Sequence, residues 1–406
     1  MSKKSHTRRL SRLYALAGTV GVIAALSCAS AAPPSSSAAQ QAPAGALSIR
    51  VKGAKLVDGS EHVVQLRGAN VADLAQMETG SNAWPTFGLG GEPIFASMTA
   101  WHMNVVRFAL NEGDWLRETC GPGVHLDPQG TYQAAVAKAV ADANAAGMYV
   151  ILDLHWAAPG NFCPSGQPSF ADADHSVAFW ASVANAFKGN PAVMFELFNE
   201  PFGDDVWANW FRSDAVLLRD GGSFSAWQQQ NSNTGKNNYL DTTASVGGYN
   251  SLIAAIRAAG ATNVVLASPI GWAGEIQAWE QFKPTDPAGQ LAVAWHVYGN
   301  HNMSAAQQVL NHGYPIVITE TNGKLAAKGG NNIDNQLFNW ADAQDVGYLW
   351  WSWTPYSPTD DLDVRASCSA SGAFRLAAGG CATPTTAGAY YRAGLACAVT
   401  GAQNCW

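Results

Sequence analysis

Charge is what this chain has least of: Asp, Glu, Lys and Arg make up 13% of its 406 residues, where an average soluble domain has about a quarter. Disordered chains are rich in charge and poor in apolar side chains. This one is 48% hydrophobic, which excludes disorder and a long coiled coil. Basic residues form no run beyond the first twelve positions, so the electrostatic footprint of a nucleic-acid or anionic-membrane partner is missing. The zinc spacings C-x-x-C and H-E-x-x-H are absent, which speaks against a metal centre of that type. No G-x-G-x-x-G follows an early strand-like run, against a dinucleotide fold. Nor is there a G-x-S-x-G nucleophile elbow; the nearest run, Gly221-Gly222-Ser223-Phe224-Ser225, lacks the final glycine.

The first residues read as an export leader. Lys3, Lys4, Arg8, Arg9 and Arg12 form a basic stretch, Leu13 to Ser27 an apolar one of 15 residues, and Ala29-Ser30-Ala31 a small-x-small cleavage pattern. That apolar stretch is short of the roughly 20 residues of a membrane span. The expectation is a signal peptide over residues 1–31, with Arg8-Arg9 leaving Sec and twin-arginine export both open, and a secreted or periplasmic product. Its removal deletes five basic side chains and no acid, taking the formal charge from −7 to −12. A Pro/Ser/Ala tether follows over residues 32–45. Six cysteines remain after Cys28, an even number that suits an oxidising compartment. Proximity suggests the pairs Cys120–Cys163, Cys368–Cys381 and Cys397–Cys405.

From residue 46 to 406 the pattern predicts one domain. Eight apolar runs of strand length recur: Val63–Asn70, Asn104–Leu110, Tyr149–Trp156, Ala192–Glu200, Asn263–Pro269, Leu291–Tyr298, Pro315–Asn322 and Val346–Trp353. Between them lie amphipathic stretches such as Tyr249, Leu252, Ile253 and Ile256, and three of these end in Gly147, Gly189 or Gly260. Eight buried strands alternating with helices predict a parallel sheet closed into a single (β/α)8 TIM barrel, an α/β fold. Leu47–Val57 is expected to add a hairpin plug on the barrel floor, and the tail after Trp353 a disulfide-stapled C-terminal cap.

Barrel chemistry sits at the C-terminal ends of the strands. The runs place Arg67, Asn70, Arg107, Asn111, Trp115, His155, Trp156, Asn199, Glu200, Trp272, His296, Tyr298, Glu320, Asn322 and Trp353 there. Glu200 and Glu320 stand out, because strands four and seven face each other across one mouth. Opposed carboxyls are what glycoside hydrolysis needs: one gives a proton to the leaving oxygen, the other attacks the anomeric carbon, and a gap of ~5–5.5 Å implies retention. Arg107 can hold the nucleophile ionised, and Asn199 can bond a sugar 2-hydroxyl. Glu196, deeper in the same run and pointing the same way, is expected to be a buried, hydrogen-bonded residue. The 16 tryptophans exceed what a core of Leu, Ile and Val requires. Trp295 should be core by pleat alternation, while Trp115, Trp156, Trp272, Trp353, Trp207, Trp210 and Trp227 can offer faces to sugar rings.

Arg107, His155, Asn199-Glu200, His296-Val297-Tyr298, Glu320 and Ser352-Trp353, in this order and on these strands, resemble glycoside hydrolase family 5, the cellulase family of the clan A barrels, from about Leu47 to Trp353. The resemblance implies Glu200 as acid/base and Glu320 as nucleophile, with Arg107 and Tyr298 beside the nucleophile. It places His155, Asn199, His296 and Trp353 around the sugar being cleaved. It implies no metal or organic cofactor, and a monomer acting on a polysaccharide or oligosaccharide, most simply a β-1,4-glucan. Two departures are the Thr-Asn-Gly after Glu320, where many relatives have Phe-Gly, and the long segment Phe202 to Gly247. That segment keeps open an exo-acting glycosidase on mannan, β-1,3-glucan or a furanoside. A catalytically silent carbohydrate-binding barrel is the alternative from another class.

Overall fold

A computed structural model describes residues 47–72, 74–75, 92–203, 210–231, 237–240, 242–298, 302–321, 333–353 and 386–406. All belong to the second of two compact units, Ala42–Trp406; the first, Met1–Gln41, holds the expected leader and most of the tether and lies outside the described residues. Cys368, Cys381, Asn322 and Trp207 also lie outside them, as does the side chain of Trp210.

All eight apolar runs form strands: β1 Arg67–Val71, β2 Val105–Asn111, β3 Tyr149–Trp156, β4 Val193–Glu196, β5 Val265–Ala267, β6 Leu291–Val297, β7 Ile316–Thr321 and β8 Gly347–Trp350. They pair in parallel, each with the next, and β8 pairs with β1 to close the barrel. Crossover helices such as Tyr132–Ala145, Ser176–Phe187 and Tyr249–Ala258 cover its outside. Two of these end as the sequence suggests, at Gly147 (φ 82°) and Gly260 (φ 85°), a left-handed conformation that glycine adopts without a Cβ penalty.

Pleat alternation divides the core in two. Val105, Ile151, Met194, Leu266, Ala294, Val317 and Leu349 pack together as one buried cluster, while their neighbours Val106, Leu152, Phe195 and Ile318 belong to the larger cluster that includes the helices. The first set shares its cluster with Ile49 and Leu56 of an antiparallel hairpin, Arg50–Lys52 with Lys55–Val57. It therefore fills the barrel lumen above the floor plug. Each buried aliphatic side chain of this kind contributes about 1.5–3 kcal/mol.

Following that inward parity up the strands, Val105 leads to Arg107, Ile151 to Asp153, Met194 to Glu196 and Ala294 to His296. The lumen thus changes from an apolar floor to a charged top within one pleat.

The segment after β4, which reads as a loop, contains the helix Trp210–Asp220 and short strands. Gly222–Phe224 pairs with Ala244–Val246. Gln228–Asn231 pairs on one side with Asn237–Tyr239 and on the other with Gly166–Pro168, which comes from the segment after β3. At the C-terminus, helix Thr386–Ala398 docks on the barrel wall: the Tyr391 hydroxyl donates to the Gly68 carbonyl at 2.7 Å. Cys397–Cys405 then folds the last residues back, so that the Trp406 Nε1 donates to Asp342 at 2.8 Å. The second disulfide among the described residues, Cys120–Cys163, joins the segments after β2 and β3.

Candidate active site

Arg107 organises the top of the lumen. Its Nε and Nη2 donate to both carboxylate oxygens of Glu196, at 2.7 and 3.0 Å. Nη1 donates to Glu320 Oε1 at 2.6 Å and to Asn70 Oδ1 at 2.9 Å. Nη2 also meets Asn199 Oδ1 at 2.7 Å and Asp153 Oδ2 at 3.0 Å. Register explains the convergence: Asn70 is paired with Arg107, Asp153 with Glu196, and His296 with Glu320.

One step needs a bulge. Thr319 and Glu320 are consecutive, and a regular strand would send them to opposite faces. Yet the Thr319 hydroxyl donates to Glu196 at 3.1 Å while Glu320 meets Arg107, so both face the lumen. The ladder between β6 and β7 slips here, Trp295 opposing Ile318 and His296 opposing Glu320. An extra residue of this kind re-aims the side chain that follows it.

Glu320 is buried, and its Oε2 accepts from the Tyr298 hydroxyl at 2.5 Å. Glu200 is the more open carboxyl, its side chain 19% exposed, and its Oε1 accepts from His296 Nδ1 at 2.8 Å. A carboxylate oxygen of Glu200, one of Glu320 and a ring nitrogen of His296 lie within 4.8 Å of one another.

The charge environment is strongly uneven. Burial alone would lower His296, but Glu320, Glu196 and Glu200 around it hold it up at about 10, so it is an imidazolium at neutral pH. Burial and then Arg107 push His155 down to about 4, leaving it neutral. Burial would raise Glu196, but Arg107 and His296 prevail and lower it. Burial pushes Asp153 up against the pull of Arg107, with Glu196 and Glu320 adding to the rise. Burial and the Glu320 charge push the Tyr298 hydroxyl up; the ring is 38% exposed, but the hydroxyl reaches a buried carboxylate.

His155 sits against this network through Asp153, whose Oδ2 is 2.7 Å from its Nδ1, which leaves Nε2 for a ligand. Asn199 gives one Nδ2 hydrogen to Gln167 Oε1 at 2.8 Å. Thus Glu200, Glu320, Arg107, Asn199, His296 and Tyr298 share one connected network, with His155 attached through Asp153.

Trp353 does not join them, contrary to the sequence-based expectation. It is 1% exposed and packs edge-on against Trp101, ring centroids 5.1 Å apart. The strand ladder ends at Trp350; beyond it the Trp351 N–H still reaches the Thr321 carbonyl of β7 and the Trp353 N–H the Asn70 carbonyl of β1, the two strands that flank β8. The half-buried ring at the mouth is Trp351, which stacks on His155 at 5.4 Å with an interplanar angle of 5°.

Other expected platforms are core. Trp115 packs on Phe179 and Phe187, Trp227 on Phe170 and Phe224, and Trp295 is fully buried as alternation requires. Trp156 and Trp272 remain partly exposed, Trp272 lying flat on Phe202 with centroids 4.0 Å apart. Arg67 belongs to the opposite end of β1, where it pairs with Asp342, and Asn111 caps the helix Glu112–Leu116.

Two clusters among the described residues have cation-ligand geometry: Glu200 with His296 and Glu320, and Glu112 with Asp172 and His175. The first is spanned by the His296 imidazolium, which already supplies a cation. In the second, burial and Asp172 push Glu112 well up, and Ser176 bonds both acids.

A family model described as cellulase (glycosyl hydrolase family 5) matches residues 57–357. The chain belongs to glycosyl hydrolase family 5. It is 29% identical over 159 residues to Endoglucanase A of Butyrivibrio fibrisolvens, covering 39% of this chain and 33% of that one, so the chain spans about a third of that relative's length. In fold it resembles the endoglucanase catalytic domain of Thermobifida fusca, with a TM-score of 0.53 and 18% identity over 86% of this chain and 97% of that one. It also resembles a β-mannanase of Streptomyces thermolilacinus crystallised with mannohexaose, with a TM-score of 0.53 and 20% identity over 78% and 87%. The network built around Arg107 is therefore a family 5 barrel mouth.

Proposed function

We propose that this family 5 protein is a secreted, retaining β-glycosidase, with Glu320 as nucleophile and Glu200 as acid/base. The observation that carries the reading is the close approach of the two carboxyls, with oxygens of both within 4.8 Å of a shared His296 nitrogen. Inverting enzymes keep their carboxyls about 6.5–9.5 Å apart to admit a water. The roles follow from the surroundings. Glu320 is tied to Arg107 and Tyr298, which fix a carboxylate for attack on the anomeric carbon; Glu200 stands at the open side, where a leaving oxygen departs.

In the first step the Glu320 oxygen bonds to the anomeric carbon, the glycosidic C–O bond breaks, and the Glu200 proton passes to the leaving oxygen. In the second, water attacks the same carbon, Glu200 takes its proton, and the Glu320 ester bond breaks. Asn199 donates to the 2-hydroxyl of the reacting sugar, and Trp351 with His155 forms the wall beside it.

The substrate reading is a β-1,4-glucan, supported by the endoglucanase relative; mannan is the second reading, supported by the likeness to the mannanase. Export is supported by the leader pattern and by the Cys120–Cys163 and Cys397–Cys405 bridges.

The test uses an aryl β-cellobioside and added azide. Glu320→Ala should be inactive alone and yield the α-glycosyl azide, and Glu200→Ala the β-glycosyl azide. Full activity of Glu320→Ala without azide would sink the assignment. A product profile on glucan and mannan oligosaccharide ladders then decides the substrate.

A further inference from the structure

We infer that Gln167, on the accessory strand Gly166–Pro168, is a positioning residue that fixes the Asn199 amide for recognition of the 2-hydroxyl of the reacting sugar. The inference rests on the reading of Asn199 given above.

An asparagine amide can be turned over, exchanging its oxygen and nitrogen with almost no change in shape. Here the hydrogen-bond chain permits one orientation. Arg107 can only donate, so the Asn199 atom 2.7 Å from Nη2 must be the oxygen. Its nitrogen then faces Gln167, which must answer with Oε1, at 2.8 Å. The Gln167 nitrogen is left to donate to the carbonyls of Glu200, at 3.2 Å, and Pro168, at 3.0 Å. Carbonyls can only accept, so the chain is fixed at both ends and neither amide can turn over without breaking bonds.

Both side chains are buried, Asn199 at 2% and Gln167 at 6% exposure, so water cannot easily replace a lost partner. Asn199 Nδ2 bonds Gln167 with one hydrogen and has a second, for which no acceptor is found among the described residues. That hydrogen is the donor available to a sugar hydroxyl. Gln167 comes from outside the barrel: its strand pairs with Gln228–Asn231 in the long segment after β4, with Gln167 opposite Gln230. The long segment after β4 thus backs, by strand pairing, the residues after β3 whose Gln167 reaches the Asn199-Glu200 pair.

The experiment compares kcat/KM on an aryl β-cellobioside and on its analogue lacking the 2-hydroxyl on the reacting sugar, for the wild type, Asn199→Ala and Gln167→Met. Taking the 2-hydroxy to 2-deoxy ratio within each protein, and comparing ratios between proteins, cancels the different intrinsic reactivity of the two substrates. Gln167→Met should lower the ratio about tenfold, in the same direction as Asn199→Ala, as expected for loss of one well-placed hydrogen bond. A general packing defect would lower both rates together and leave the ratio unchanged. If Asn199→Ala lowers the ratio and Gln167→Met does not, the role of Gln167 is refuted while the Asn199 reading stands. If Asn199→Ala leaves the ratio untouched, the Asn199 reading fails and takes this inference with it. Should Gln167→Met not fold, Gln167→Asn asks the same question, because it keeps an amide but withdraws it by one methylene.

Discussion

Replacing Arg107 by methionine removes the cation from a pocket that holds Glu196, Glu320 and Asp153, while keeping a shorter, unbranched apolar side chain. All three acids are buried, the Arg107, Glu196 and Asp153 side chains completely so. Breaking a buried ion pair from one side costs about 3–5 kcal/mol, because the partner is left charged in a dry site. Glu196 and Glu320 are abandoned here, while Asp153 is already pushed towards its neutral form, and only His296 offsets them, so a loss of about 4 kcal/mol at neutral pH is expected. Set against a total stability of roughly 5–15 kcal/mol, this leaves a fold that survives with a much lower urea midpoint.

The dependence on pH separates this account from a simple packing defect. In the wild type the Glu196 carboxyl is held down by Arg107 and His296, so its contribution is present above the ordinary carboxylate range and lost as pH falls through its folded value. In the variant, carboxyls without a cation rise instead, and each proton they bind removes part of the penalty. The gap between the two proteins should therefore narrow from neutral pH to about pH 4.5, towards the cost of the missing hydrogen bonds at about 1 kcal/mol each. Urea unfolding followed by tryptophan fluorescence at both pH values measures it. A loss under about 1 kcal/mol at neutral pH, or an equal loss at both, would refute the reasoning.

Three further outcomes are expected. Trp351→Ala should raise KM on an oligosaccharide by roughly tenfold, from lost ring stacking, whereas Trp353→Phe should lower the unfolding midpoint and leave KM unchanged; steady-state kinetics with melting curves would show either assignment to be reversed. Reducing Cys120–Cys163, or replacing both cysteines by serine, should cost up to about 4 kcal/mol from the 43-residue separation, read as a fall in urea midpoint. His296 and His155, the two buried histidines among the described residues, set opposite limits on stability. His296, held at about 10, contributes below its ordinary value of about 6.5 and loses that contribution as pH rises from there through 10. His155, held at about 4, costs stability as pH falls from about 6.5 to 4, because the unfolded chain then binds more protons. In His296→Gln the alkaline decline should flatten and the acid one persist.

The barrel was legible because one rule was repeated eight times. Runs such as Tyr149–Trp156 are apolar on both faces until Asp153 and His155 near their C-terminal end, as a strand buried between lumen and helices is below the mouth, and β3 spans those same residues. Runs ending in polar residues were read too long. Ala192–Glu200 contributes only Val193–Glu196 to the ladder, since Asn199 and Glu200 leave it to face the mouth, and Pro201 has no N–H to continue it. The accessory strands escaped because they are three or four residues long with no apolar alternation: Gln228–Asn231 is entirely polar. One pairing partner of Gln228–Asn231, Gly166–Pro168, lies in another loop, and local sequence carries no trace of that.

The site was legible to the extent that pleat parity reaches it. Glu196 and Trp295 fell where alternation put them, and Asp153 was available to the same argument, two residues before His155 and on its face. Parity fails on β7 and just beyond β8, and both places are at the chemistry. On β7 the bulge lets Thr319 and Glu320 face inward together. Beyond β8 Trp351 stacks on His155 while Trp353 packs on Trp101 in the core, although residues two apart would share a face on a regular strand. A regular barrel supplies an inward side chain at every second position of each strand. Placing an attacking carboxylate beside a buried guanidinium, an imidazolium and a tyrosine hydroxyl takes one side chain more than that spacing provides. The bulge on β7 supplies it, which is why the residue that the sequence marks most clearly as chemical is also the one whose orientation the strand pattern alone would get wrong.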